Sequence, residues 1–208
     1  MDSSIRKNSL AAAGCLVGLA LCGVCLVAPF EEGVSGNAFL PSVAQAKDSI
    51  SKLVKNGVFV DSAADFSERL DDAFAEIGGC PLKVDGYKKM SKDGRLGVCL
   101  RDGSIAGLVT FGDANGFLKY SDRSESKAFD SVWIYVAEDE QQDEYAAYSL
   151  IGMIMACDPS LSLIDAADVA QDVLDSYDGE SGSVLKNGII YGFMSEDDMW
   201  LVVAVIAD

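Results

Sequence analysis

The sequence contains no histidine, and this absence excludes several classes of function. Histidine is the commonest general base in enzymes. Ser-His-Asp and Cys-His nucleophile systems are therefore excluded within this chain, as are zinc sites that require imidazole ligands. Any catalysis would have to use carboxylates, lysine, tyrosine or cysteine.

Basic residues are also scarce: 16 Lys and Arg stand against 33 Asp and Glu, for a net charge of −17. A surface this acidic repels phosphate backbones, so we expect no nucleic-acid partner. Glycine loops of the G-x-G-x-x-G type, C-x-x-C pairs and the EF-hand ligand pattern are missing as well. We therefore expect no cofactor and no metal site.

One long apolar run, residues 10–30, follows Arg6 and Lys7 near the start of the chain. As a helix its 21 residues would span roughly 31 Å, close to the hydrocarbon thickness of a bilayer. The positive flank predicts that the chain beyond it lies outside the cytoplasm. Further on, Ala44 and Ala46 form the A-x-A pattern of a signal-peptidase site.

Two interpretations of residues 1–46 stay open: a long signal peptide cut after Ala46, or an uncleaved membrane anchor followed by a linker. A core helix fits less well because of the charged flank and the cleavage pattern. Lipid attachment also fits badly: Cys22 and Cys25 lack a small residue before them, and Cys15, which follows Gly14, has almost no apolar run ahead of it. We expect an exported protein, extracellular or at the cell surface, that touches a membrane only through this segment if it is uncleaved.

Residues 47–208 are expected to form a single acidic domain. Capping-box spacing at Ser62 and Asp65 predicts a helix that ends at Gly78. Two further helices are predicted over about 143–157 and 162–177. Strand patterns cover 95–111, with a turn at Asp102-Gly103, then 116–121, 131–137, a hairpin around Asn187-Gly188, and a last strand apolar on both faces, as in a central covered strand. This order predicts an α+β fold: an antiparallel sheet of about five to seven strands with three helices packed on it.

The segment before the second helix, residues 138–144, holds five acidic residues. Carboxylates at a helix start are favoured by the helix dipole and by the free N–H groups of the first turn. A calcium site is the alternative, and its ligand pattern is missing. We therefore interpret the acidic cluster as a helix start.

Three cysteines follow residue 46: Cys80, Cys99 and Cys157. Disulfides are compatible with an exported protein. We predict a Cys80–Cys99 disulfide, because a helix end and a following strand would meet there. The alternative of three buried free thiols stays open.

One segment, residues 83–95, reverses the acidic background with a local charge of +3. Outside the cell, anionic wall polymers or a membrane surface are targets for such a patch. The alternative is an exposed hairpin whose lysines protect a sheet edge from pairing with other chains. The candidate binding residues are Lys83, Tyr87, Lys88, Lys89, Lys92 and Arg95.

These observations predict an exported, non-enzymatic binding module of the cell envelope, with an unknown protein or an anionic wall component as its partner. The alternative is an exported hydrolase that acts on glycans with two carboxylates. Its candidate pairs are Asp71 with Asp72, Asp197 with Asp198, and Glu138 with Glu144. A general acid needs a raised carboxyl pKa, which requires burial or a nearby like charge, and all of these pairs fall on predicted exposed faces, turns or helix starts.

Overall fold

The computed structural model describes residues 59, 62–90, 95–113, 116–118, 128–137, 143–196 and 198–207, with the backbone alone at 87–90, 95 and 116. The expected export segment, residues 1–46, lies outside the described residues. The described chain has an α+β fold with three helices and an antiparallel sheet, as the sequence predicts.

Helix α1, Ala63–Glu76, begins at a capping box. The Ser62 hydroxyl accepts the Asp65 N–H, and the Asp65 carboxylate accepts the Ser62 N–H, which satisfies two otherwise free donors. Helix α3, Leu163–Asp175, begins with the same reciprocal pair, Ser162 and Asp165. Both helices alternate a buried apolar stripe with an acidic exposed face, so each packs on the sheet along one side only.

Helix α2, Asp143–Cys157, is buried almost all round, because every residue from Ala146 to Cys157 is shielded from solvent. It lies between the other two helices. Gly152 permits the close contact with α1: a Cβ at this position would come within 2.5 Å of the Phe74 ring. Asp143 and Glu144 stand in its first turn, as the helix-start interpretation of the acidic cluster predicts.

The sheet has the strand order β1-β2-β3-β5-β8-β7-β6, and every neighbouring pair is antiparallel. A short strand, β4, pairs with β3 outside this order. The predicted turn at Asp102-Gly103 joins β2 to β3, and Asn187 and Gly188, both at positive φ, join β6 to β7. The strands are β1 Lys83–Met90, β2 Arg95–Arg101, β3 Ile105–Asp113, β4 Gly116–Phe117, β5 Ser131–Ala137, β6 Ser181–Lys186, β7 Ile189–Glu196 and β8 Met199–Ile206.

The helix face of the sheet is defined here as the side that carries the three helices. One row of paired residues crosses it from β2 to β7 and forms its centre: Val98, Val109, Ile134, Val202 and Phe193. All five are buried in one core cluster, to which the buried apolar residues of α1, α2 and α3 also belong. Trp200 joins α2 to this face, since its Nε1–H donates to the Asp143 carboxylate at 2.7 Å.

The opposite side is called the helix-free face, because the helices of the described chain pack on the other side. Along each strand its residues alternate with those of the core row, because successive side chains of a strand point to opposite faces of the sheet. Three of them, Cys99, Leu201 and Val203, are buried but lie outside the core cluster. The face is apolar over four central strands. Its members include Leu108, Thr110, Trp133, Tyr135, Leu201, Val203, Val205, Ile190 and Met194.

Candidate binding surface

The predicted basic hairpin exists and forms one edge of the sheet. Strands β1 and β2 pair antiparallel, with Lys83 opposite Arg101 and Met90 opposite Arg95. A register shift at Gly86, whose φ is +42°, interrupts the pairing between Asp85 and Tyr87. Among the described strands, β1 has a partner on one side only, so its outer backbone groups mark the sheet edge.

Helix α1 fixes the start of this edge strand. The Asp71 carboxylate accepts the Val84 N–H at 2.7 Å, so the first residues of β1 are tied to the helix. On the neighbouring strand the Arg101 guanidinium pairs with Asp85. Lys83 is exposed, and within the described part of the chain no carboxylate pairs with it. Within the described residues, the hairpin therefore presents at least one cation without an ion-pair partner.

The β2–β3 turn beside the hairpin is held by helix α2. The Tyr145 hydroxyl donates to Asp102, and the Ser104 N–H donates to the same carboxylate at 3.2 Å. The Tyr145 hydroxyl and the Ser104 donors hold the pKa of Asp102 below its ordinary value. A shallow cavity of about 490 Å³ opens between this turn and the start of β1, lined by Lys83, Asp85, Arg101 and Asp102 among others. The sequence showed Asp102 only as a turn residue, since its contact with Tyr145 joins positions far apart in the chain.

The structure brings the described candidate residues onto one hairpin. Tyr87, Lys88 and Lys89 stand on β1 opposite Val98, Gly97 and Leu96 of β2. Their side chains, and all of Lys92, lie outside the described residues. An edge strand is also where lysines would protect the sheet from pairing with other chains. The binding interpretation and the protective interpretation therefore concern the same strand.

The three described cysteines are free thiols, so the predicted Cys80–Cys99 disulfide is not formed in this structure. The strand register pairs Cys99 with Asp85, five residues beyond Cys80. Burial raises the pKa of the Cys80 thiol to about 11, so this sulfur is protonated at neutral pH and a poor nucleophile. The disulfide stays a prediction, and an intact mass measured without reductant tests it.

The carboxylate pairs of the hydrolase alternative are not assembled into a cleft by the described residues. Asp71 and Asp72 are exposed on α1, and Asp71 is engaged with β1. Glu144 accepts the Tyr148 hydroxyl at 2.9 Å. Glu138 and Asp197 lie outside the described residues.

One buried carboxylate, that of Asp158, was not among the residues singled out from the sequence. Asp158, 1% exposed at the end of α2, accepts the Ser160 hydroxyl at 2.5 Å and the Asn187 side-chain N–H at 2.7 Å. It thereby ties the helix end to the β6–β7 turn, where Asn187 adopts a positive φ of 53°. These contacts satisfy the carboxylate, and its role is structural.

Two properties of the described chain bear on its chemistry. It contains no group of three or more Cys, Asp or Glu side chains placed to hold a metal ion. Over the same residues, no helix has both the length and the apolarity to cross a bilayer. The apolar run of residues 10–30 falls outside the described part.

Comparison with protein-family models, with curated proteins and with solved structures gives no match for this chain.

Proposed function

We propose that this chain is an exported, non-enzymatic binding module of the cell envelope, and that the β1–β2 hairpin contacts an anionic wall polymer. The observation that carries the proposal is the position of Lys83. It is exposed and without an ion-pair partner among the described residues, at the head of an edge strand that also carries Lys88 and Lys89. In a chain of net charge −17, this hairpin is where a polyanion meets the least repulsion.

Export is the second part of the proposal. Its support is the positively flanked apolar run of residues 10–30 and the A-x-A pattern that ends at Ala46. An intact mass of the protein from its native cells tests this part. A chain that begins at Lys47 is a released domain, whereas a full-length chain recovered from membranes is an anchored one. A full-length chain recovered from the soluble cytoplasm contradicts export.

Charge reversal on the hairpin tests the binding surface. Lys88→Glu combined with Lys89→Glu is expected to weaken binding to isolated cell envelopes and to long-chain polyphosphate, a soluble anionic probe. The wild-type binding should fall as salt rises, because exposed charges are screened over about 10 Å at 0.1 M ionic strength.

Lys83→Glu and Lys186→Glu form a matched pair. Both lysines are exposed, both stand on an edge strand, and both substitutions change the net charge by the same amount. We expect Lys83→Glu to weaken binding and Lys186→Glu, on the opposite edge, to leave it unchanged. Equal effects of the two substitutions would mean that the net charge of the protein, and not the position of the lysine, determines binding. If no hairpin variant weakens binding, the binding surface is wrong and edge protection remains as the role of the lysines.

A further inference from the structure

The end of α2 is tied to the β6–β7 turn through a side-chain nitrogen. Nδ2 of Asn187 donates to the Asp158 carboxylate at 2.7 Å. Asp158 is 1% exposed, and its other carboxylate oxygen accepts the Ser160 hydroxyl and the Ser160 N–H. Hydrogen bonds to a buried carboxylate are among the stronger ones in proteins. This tie is therefore lost if Asn187 loses its nitrogen.

The residue after Asn187 makes the loss of that nitrogen chemically accessible. Three Asn-Gly pairs occur in the sequence, and Asn187-Gly188 is the pair of which both residues are described. Both residues are exposed, and a Cβ at Gly188 would meet no described atom within 4 Å. Glycine has no side chain to shield its own backbone nitrogen. The Gly188 nitrogen is thus open to the Asn187 side-chain carbonyl carbon, and water has access to both residues.

We propose that Asn187 is a deamidation site and that the modification opens the joint between α2 and the β6–β7 turn. The Gly188 backbone nitrogen attacks Cγ of Asn187, which forms a C–N bond and closes a succinimide ring. The bond from Cγ to Nδ2 breaks, and Nδ2 leaves as ammonia with the proton that Gly188 gives up. Water then adds to either ring carbonyl and opens the ring to aspartate or isoaspartate. No atom is oxidised or reduced in these steps.

Both products remove the donor and put a second carboxylate beside Asp158. The atom that leaves as ammonia is the atom that donates to Asp158, so the reaction itself removes the tie. Two carboxylates at hydrogen-bond distance repel each other, and the cost is larger because Asp158 is buried. The isoaspartate product also lengthens the backbone of the tight turn that sets Lys186 opposite Ile189. The end of α2 and the turn should therefore separate.

Ageing of the folded full-length protein at mildly alkaline pH tests the modification. A glutamate-specific protease, used at acidic pH, cuts after Glu180 and Glu196 and releases the peptide that contains Asn187. Conversion replaces an NH with an O, so the converted peptide is heavier, and isoaspartate separates from aspartate by chromatography. We expect both products to accumulate with time at position 187. Asn187→Gln, which would have to form a larger ring, is the control and should convert at least about tenfold more slowly. Conversion in the urea-unfolded protein without conversion in the folded protein would contradict the proposal.

Two substitutions at position 187 test the consequence for the joint. Asn187→Asp mimics one product, and Asn187→Gly removes the donor without adding a charge. Both residue types tolerate the positive φ of 53° at this position. We expect Asn187→Asp to lower the urea midpoint by more than Asn187→Gly does.

An exchange of the two side chains completes the test. Asn187→Asp combined with Asp158→Asn swaps donor and acceptor, so the new amide at position 158 can donate to the new carboxylate at position 187. This double variant should recover at least about half of the urea midpoint that Asn187→Asp loses. Equal midpoints for Asn187→Asp and Asn187→Gly, or no recovery in the exchanged pair, would mean that the modification does not open the joint, and the proposal would be wrong.

Discussion

The two faces of the sheet are both apolar, but they differ in how their side chains are fixed. On the helix face, rings and hydrogen bonds lock the residues: Trp200 stacks on Phe193 at 4.9 Å between ring centroids and donates to Asp143 of α2. On the helix-free face, Trp133 is half-buried and makes an edge contact with Phe117 at 6.0 Å. Apolar area alone therefore does not define the core, because a second layer of contacts is needed to fix it.

The largest expected effect is the contrast between the two tryptophans. Trp200→Ala should destabilise the domain by about 3–5 kcal/mol, because it leaves a cavity in the core and removes the donor to Asp143. Trp133→Ala should cost less than half of that, about 1–2 kcal/mol. Urea unfolding followed by far-UV circular dichroism measures both without tryptophan as the probe. Trp200→Phe, which keeps a ring but loses the N–H, should fall between them. Equal losses for the two alanine variants would erase the distinction between the faces.

The second contrast uses two glycines. A Cβ at Gly152 would lie 2.5 Å from the Phe74 ring, which the core holds in place, so Gly152→Ala should cost about 1–2 kcal/mol even after the gain in helix propensity. A Cβ at Gly192, on the helix-free face, would lie 2.8 Å from one methyl group of Val203. Val203 is 6% exposed, but a rotation about its χ1 moves this methyl group without moving any backbone, so Gly192→Ala should cost less than Gly152→Ala, about 1 kcal/mol. Urea midpoints of the two variants give the comparison, and a larger loss at Gly192 would contradict it.

The helices and turns of this fold could be predicted from the sequence, because the patterns that define them lie within a single element. The Ser62–Asp65 box and the continuous burial of α2 are patterns within one turn or one element, so the helix bounds follow from them. The last strand, apolar on both faces, does lie inside the sheet between β5 and β7. Its central position is as predicted, and within the described chain α2 packs on one of its two faces.

What the sequence did not predict depends on contacts between distant positions. The β5–β8 pairing joins Ser131 to Val205 across two helices, and nothing within either strand selects it. The Tyr145–Asp102 and Asp158–Asn187 contacts join residues 43 and 29 positions apart, so they depend on the tertiary arrangement that places α2 beside the two turns. For the candidate site, the lysine cluster and the hairpin were visible in the sequence. The edge position of β1 and the Asp85–Arg101 pair were not.

A smaller expected effect is a difference in how the stability of the domain depends on pH when a serine is removed from the helix start of α3 or from the helix-free face. The Ser162 hydroxyl and the Ser162 backbone N–H hold the pKa of Asp165 below its ordinary value. A lowered pKa contributes stability above the ordinary value near 3.8, and this contribution is lost as pH falls through the folded-state pKa. Ser162→Ala should therefore cost about 1 kcal/mol at pH 7 and less near pH 2. Ser183→Ala, an exposed serine on the helix-free face, is the control and should leave the pH profile unchanged. A Ser162→Ala loss of the same size at both pH values would contradict the coupling to Asp165. Thermal melts from pH 2 to pH 7 measure it.

The smallest effect compares two hydroxyls, one on each face. Tyr191 on the helix face and Thr110 on the helix-free face are both 0% exposed, and neither hydroxyl has a hydrogen-bond partner among the described residues. Removing an unpaired buried hydroxyl without changing the shape of the side chain relieves its desolvation penalty. Tyr191→Phe and Thr110→Val should each stabilise the domain by about 1 kcal/mol in urea unfolding. A gain at Tyr191 with none at Thr110 would mean that water reaches the helix-free face. Equal gains would mean that both faces are dry, so the sheet is closed on its second side by something other than the three helices.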